Sequence, residues 1–144
     1  MTQTPAEKAN IAIVRKFFEV GPSKGDLAAA DALLHPEFSL HTPLPTPGPG
    51  IPAMNNVITT CRAAFHGLHV TIDDIMADGD TVTARFTARG MHNGEFMGLP
   101  PTGKAITMTG IEIFRIKDGK IAELWGEANL MGLMQQLGIL PNMA

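Results

Sequence analysis

Thr81-Val82-Thr83-Ala84-Arg85-Phe86-Thr87-Ala88-Arg89-Gly90-Met91-His92 is the stretch that decides the fold. Val82, Ala84, Phe86, Ala88, Gly90 and His92 fall at every second position, and Thr81, Thr83, Arg85, Thr87 and Arg89 fill the places between. A period of two with one apolar face is the mark of a long, half-buried strand. Just before it, Asp78-Gly79-Asp80 is a turn signal. Segment 68–76 alternates Leu68, Val70 and Ile72 with His69, Thr71 and Asp73, and predicts the preceding strand. Downstream, 106–116 reads as a third strand, Asp118-Gly119 as a second tight turn, and 120–127 as a last strand. Two tight turns imply antiparallel pairing.

The pattern upstream is helical. Ile11, Val14, Phe17 and Phe18 give an amphipathic helix over 6–20, stopped by Gly21, Pro22 and Gly25. Asp26 caps a second helix with Leu27, Ala30, Leu33 and Leu34 on one face, ended by His35-Pro36. Residues 42–52 hold five prolines and two glycines, which no regular element survives, and predict an ordered loop over a pocket mouth. Met54, Val57, Ile58, Cys61 and Phe65 mark a third helix near 53–65, and 130–137 a short terminal one. The expectation is therefore α+β: three N-terminal helices, then a curled antiparallel sheet of about four strands. Helices must cover one face of that sheet, and a curled sheet under helices encloses a deep pocket.

Composition bounds the function. The 144 residues suit one domain spanning 1–144, and 44% hydrophobic residues make it globular. The net charge of −3, with no basic run longer than Arg15-Lys16, argues against nucleic acid. No apolar run is long enough to span a bilayer and the first ten residues are no signal peptide. The single Cys61 cannot form an intrachain disulfide, and a cytoplasmic setting follows. No Cys/His cluster predicts a metal. Tyrosine is absent, so no phenol serves as acid or oxyanion donor; nine methionines suit an adaptable apolar pocket or simply fill the core.

Two stretches carry a resemblance. One is His92-Asn93-Gly94-Glu95-Phe96-Met97-Gly98-Leu99-Pro100-Pro101-Thr102-Gly103-Lys104. The other runs from Ile111-Glu112-Ile113-Phe114-Arg115-Ile116-Lys117-Asp118-Gly119-Lys120-Ile121 through Glu123-Leu124-Trp125 to Gly132-Leu133-Met134-Gln135-Gln136-Leu137-Gly138. Together with Leu34-His35-Pro36-Glu37-Phe38, they resemble the SnoaL-like polyketide (ester) cyclases of the nuclear transport factor 2-like superfamily. The resemblance implies a cone-shaped, cofactor-free enzyme, a homodimer or homotetramer, that closes a polyketide ring by intramolecular aldol condensation. In such enzymes an aspartate follows the tryptophan-like position of the last strand; here Gly126 stands there, with Glu127 next. A pocket histidine on the preceding strand corresponds to Glu112, while His92 is kept.

The candidate residues follow. Glu112 shares a strand face with Met108, Gly110, Phe114 and Ile116. A carboxyl on that face is desolvated and its pKa raised toward a value useful for proton abstraction; a structural ion pair with an arginine is the alternative. His92 would share protons with Glu112 or stabilise an oxyanion, or else sit as a satisfied histidine at a strand end. Glu127 would replace the missing aspartate if the last strand bulges by one residue; otherwise it points away. Phe18, Met108, Phe114, Trp125, Asn129 and His41 are the expected substrate contacts, His41 at the mouth. His66 and His69 read as structural, His35 as a helix C-cap, and Arg85 and Arg89 as solvated or interfacial. The leading function is a cofactor-independent acid–base enzyme on a small hydrophobic carbonyl compound. An epoxide hydrolase-like enzyme using two acids bridged by an arginine, and a non-catalytic small-ligand-binding or interaction module, are the alternatives.

Overall fold

The computed structural model describes residues 2–46 and 48–141; Pro47, inside the expected loop, lies outside the described residues. Helix α1 (Pro5–Phe18) begins with a capping box, in which the Thr4 hydroxyl accepts from the Glu7 amide at 3.1 Å and Glu7 accepts from the Thr4 amide at 2.9 Å. The other Glu7 oxygen accepts from the Gly79 amide at 2.9 Å, which ties the helix start to the hairpin turn 78–81. The helix does not stop at Gly21-Pro22 as the sequence predicts. It widens into a π-turn, Glu19–Ser23, with Pro22 inside. Arg62 then caps the freed carbonyls of Pro22 and Ser23, at 3.0 and 2.7 Å.

Helix α2 (Leu27–Asp31), capped by Asp26, is shorter than expected. Leu34-His35-Pro36 does not close it but opens a strand, β1 (Leu34–His41). His35 is therefore not a helix C-cap; its Nε2 lies 3.7 Å from the Asp118 carboxylate. Then come α3 (Gly50–Ala64), β2 (Phe65–Asp78), β3 (Thr81–His92), β4 (Ala105–Lys117), β5 (Lys120–Ala128) and α4 (Leu130–Gln136). The last four strands and both later helices match the expected segments to within a few residues.

The sheet order is β1-β5-β4-β3-β2. Four strands pair antiparallel, but β1 runs parallel to β5 at the edge, so the sheet has five strands and is mixed. Pro36 is tolerated because β1 is an edge strand whose register breaks between Leu34 and Ser39. One face of the curled sheet is covered by α1 and α3. There Phe17, Phe18, Phe86 and Phe114 form an aromatic cluster, with Phe18 centroids 5.8 Å from Phe86 and 5.7 Å from Phe114. Phe86 lies over Gly110, its cross-strand partner: a Cβ there would come within 2.5 Å of the Phe86 ring and 2.7 Å of the Glu127 carbonyl. The opposite face carries exposed Met76, Ile111 and Ile113.

Candidate active site

The cavity lies between α1, α3 and the inner sheet face. Phe18 and Pro22 come from the α1 end, and Met54, Val57, Ile58 and Cys61 from α3. Thr42, Pro43 and Leu44 come from the proline-rich loop, and Phe86, Ala88, Met108 and Glu112 from the sheet. The expectation that this loop borders the cavity holds for its described part. Phe18 and Met108, offered in the sequence as substrate contacts, line the cavity.

Glu112 is the ionisable group that the structure presents to this apolar space together with the Cys61 thiol. It pairs across to Ala84 on β3 and Gly126 on β5. No hydrogen bond or ion pair holds its carboxyl among the described residues, so the arginine-paired alternative is not realised. Glu112 is half-buried and lines the cavity. Desolvation therefore governs, and burial pushes its pKa from the ordinary 4.5 up to about 8. Burial, with a smaller contribution from the Glu112 charge, pushes the Cys61 thiol up to about 11. Cys61 is then a neutral wall of the cavity, as its place on an apolar helix face predicts.

The other candidates do not gather round Glu112. Glu127 pairs with Ile111 in unbroken register, and the irregularity of this strand pair falls between Arg115 and Ile116 instead. Without a bulge the pairing register places its side chain on the outer face with Ile111, although Glu127 also borders the cavity. Gly126 takes the inward position, where a Cβ would sit 3.7 Å from the Glu112 Cγ. Trp125 and His41 are also on the outer face. The two rings stack at 5.2 Å, and His41 Nε2 lies 2.7 Å from the Glu123 carboxylate. Arg115 packs 5.1 Å over Trp125 and reaches Glu123 at 3.3 Å. Neither Trp125 nor His41 can touch a ligand in the cavity. Phe114 is fully buried beneath the cavity rather than in its wall. Asn129 is the N-cap of α4, its side chain accepting from the Gly132 amide at 2.9 Å.

His92 is fully buried but does not line the cavity. It follows Ala84, the partner of Glu112, by eight residues on β3, on the order of 25 Å at the strand rise. Phe65, a cavity residue, packs on its ring at 5.6 Å. The Thr102 amide donates to His92 Nδ1 at 3.2 Å and the Thr102 hydroxyl lies 3.0 Å away. Nδ1 thus accepts from the Thr102 amide, and Nε2 has no hydrogen-bond partner among the described residues. The Gly103 amide also donates to the His92 carbonyl at 2.8 Å. His92 therefore pins the Thr102–Gly103 segment that follows Pro100-Pro101. Arg85 reaches Asp73 at 3.8 Å on the outer side, and Arg89, His66 and His69 are exposed. The cavity lining not offered as substrate contacts in the sequence is mainly the α3 face, Met54, Val57, Ile58 and Cys61, with Phe86, Ala88 and Gly126 from the sheet. An apolar period marks a buried face but not where that face leaves a gap.

The model of the SnoaL-like polyketide cyclase family matches residues 12–137. Among characterised relatives, the aklanonic acid methyl ester cyclase DnrD of Streptomyces peucetius is 30% identical over 62% of this chain and 62% of its own length. The match therefore spans less than two thirds of that enzyme. The nogalonic acid methyl ester cyclase of Streptomyces nogalater is 25% identical over 75% of this chain and 82% of its own. Among solved structures, TsrD from Streptomyces laurentii superposes with a TM-score of 0.84 at 34% identity, covering 93% of this chain and 98% of TsrD. With the family model matched over residues 12–137, most of its length, the chain belongs to the SnoaL-like polyketide cyclases.

Proposed function

We propose that the chain is a cofactor-independent cyclase that closes a ring on a hydrophobic, polyketide-like carbonyl compound by an aldol step, with Glu112 moving the proton. The observation that carries this reading is a single unpaired carboxyl, desolvated by the walls of an apolar cavity. Ionised Glu112 takes a proton from a carbon next to a carbonyl. The resulting enolate carbon attacks a second carbonyl of the same molecule, so one carbon–carbon bond forms and one carbonyl π bond breaks. The new alkoxide then takes the proton back from Glu112. Desolvation strengthens the carboxylate as a base, and a pKa near the working pH lets one group perform both transfers. The two methyl ester cyclases among the relatives support a polyketide ester as the substrate.

The test is a pH–rate profile on a polyketide ester with an activated methylene. In the free enzyme the base form of Glu112 is required, so kcat/KM rises about tenfold per pH unit below pH ~8 and levels above it. A flat profile between pH 6 and 9 contradicts the assignment. The epoxide hydrolase-like alternative loses support because Glu127, Arg85 and Arg89 all belong to the outer face. The binding-module alternative predicts no turnover at any pH.

Between a homodimer and a homotetramer, we propose a homodimer. The outer face presents Met76, Ile111 and Ile113 beside Trp125, among the opposite charges Arg115 and Glu123. An apolar centre within mixed charge suits a self-complementary two-fold contact. Light scattering should give twice the 15.4 kDa of one chain, and Ile111→Asp should halve that mass. A monomeric parent protein contradicts it. The lone unpaired Cys61 supports a cytoplasmic setting, and no helix among the described residues is long and apolar enough to cross a membrane.

A further inference from the structure

An enolate oxygen gathers negative charge as the proton leaves carbon, and in an apolar cavity that charge calls for a hydrogen-bond donor aimed at it. The chain has no tyrosine, and His92 lies outside the cavity. Among the described lining residues Thr42 carries the one hydroxyl. Thr42 directly follows His41, which pairs with Trp125 at the end of β1. His41 and Trp125 are on the outer face, so the next residue of each chain segment, Thr42 and Gly126, turns inward; both line the cavity. Gly126 in turn pairs with Glu112 on β4. Thr42, Gly126 and Glu112 thus form one inward row. The Glu112 side chain leans over the middle of that row, since its Cγ and Cδ lie 3.7 and 3.8 Å from where a Gly126 Cβ would be. With strands ~4.8 Å apart, its carboxyl is on the order of 5–10 Å from the Thr42 hydroxyl, and no hydrogen bond among the described residues joins the two. The Thr42 Oγ1 accepts from the Leu44 amide at 3.2 Å. That bond holds the oxygen in place and leaves its O–H without an acceptor among the described residues.

We infer that the Thr42 hydroxyl is the oxyanion donor of this cavity, holding the carbonyl oxygen of the substrate while Glu112 takes the proton from the neighbouring carbon. The inference rests on Glu112 being the proton-transfer group. In this step the C–H electron pair becomes the carbon–carbon π bond of the enolate. The carbonyl π pair moves to oxygen, and the proton goes to the Glu112 carboxylate. Thr42 keeps its own proton and only donates a hydrogen bond, which strengthens as the oxygen becomes charged. A hydroxyl-to-oxygen contact of ~2.8 Å and a carboxyl-to-carbon contact of ~3–3.5 Å, joined through the carbonyl group, fit between the two side chains. The Leu44 amide, bonded to Oγ1, polarises that O–H and makes it a better donor. The ligand is an enolisable ketone or β-keto ester, its carbonyl oxygen turned toward the end of β1 and its acidic carbon toward β4.

The probe is 2-tetralone, a two-ring enolisable ketone, with the full chain. Proton–deuterium exchange at its α-carbons in heavy water, read by NMR above the exchange in buffer alone, reports enolate formation without ring closure. The infrared carbonyl stretch of the bound ketone reports the hydrogen bond to its oxygen. Thr42→Val keeps the shape of the side chain and removes the hydroxyl. It should lower kcat for exchange by about 10²- to 10³-fold, the usual loss on removing one oxyanion donor. KM should change little, because the bond strengthens mainly toward the transition state. The bound carbonyl stretch should rise to its value in an apolar solvent. Thr42→Ser, which restores a hydroxyl, should recover most of both signals. Exchange in Thr42→Val at the parent rate overturns the role of Thr42. So does slowed exchange with an unmoved carbonyl stretch, which would mean that the residue only braces the loop through Leu44. Should the valine variant fail to fold, Thr42→Ala reads the same two signals. Glu112→Gln tests the underlying reading separately: it should abolish exchange yet leave the stretch of the bound ketone lowered. Exchange that survives in that variant overturns the role of Glu112, whatever Thr42 does. No exchange by the parent protein overturns both.

Discussion

Glu112→Gln lowers turnover by about 10²- to 10⁴-fold, the usual contribution of a positioned proton-transfer group, and leaves the protein folded. The amide keeps the size and shape of the side chain but cannot exchange a proton. The same substitution changes the pH dependence of stability. In the native chain Glu112 holds its proton up to about pH 8, whereas its ordinary value is 4.5. Between those two values the folded protein binds a proton that the unfolded chain has released. Stability is therefore lost as pH rises through this window and is level above it. The glutamine variant lacks that slope. It should gain on the parent protein by up to a few kcal/mol between pH 4.5 and 8.5, less whatever water in the cavity screens. Denaturant melts at the two pH values check this. Full activity, or a constant stability difference, would remove Glu112 from the mechanism.

Phe114→Ala destabilises the fold by about 3–5 kcal/mol, the range for deleting a buried aromatic ring. Phe114 is completely buried and its ring meets Phe17 at 6.2 Å and Phe18 at 5.7 Å. Removing it leaves a void between the sheet and α1 directly under the cavity floor. The sequence alone offers Phe114 as a substrate contact because it shares a face with Glu112. The structure separates the two by depth, since a strand face gives side but not layer. A thermal melt reads the loss. A fall of less than about 1 kcal/mol would mean the residue lines open space after all.

The legible parts of the fold were those with a strong local period. Alternation over 81–92, two Asp-Gly turns and the heptad-like apolar spacing of α1 and α3 each specify an element without help from elsewhere. The illegible parts depend on distant partners. Leu34–His41 contains a proline and no clean alternation, and it becomes a strand only because the edge of β5 is there to receive it. The π-turn over Gly21-Pro22 exists because Arg62, some forty residues away, satisfies its carbonyls. At the site, Glu112 was readable because a carboxyl in an apolar strand row is anomalous by itself. Glu127, Trp125 and His41 turned on the register of β5, which a single-residue slip would reverse. His92 shared the inward parity of Glu112 but lies at the other end of the strand, a distance that parity does not encode.

The most direct test of the central claim is a crystal structure of the protein with a polyketide ester or aromatic ketone bound. The account predicts the ligand inside the apolar cavity, with its carbonyl oxygen or acidic carbon about 3–3.5 Å from the Glu112 carboxyl, the separation that proton transfer requires. A ligand seated on the outer face, or in the cavity with Glu112 turned away into an ion pair, would contradict it.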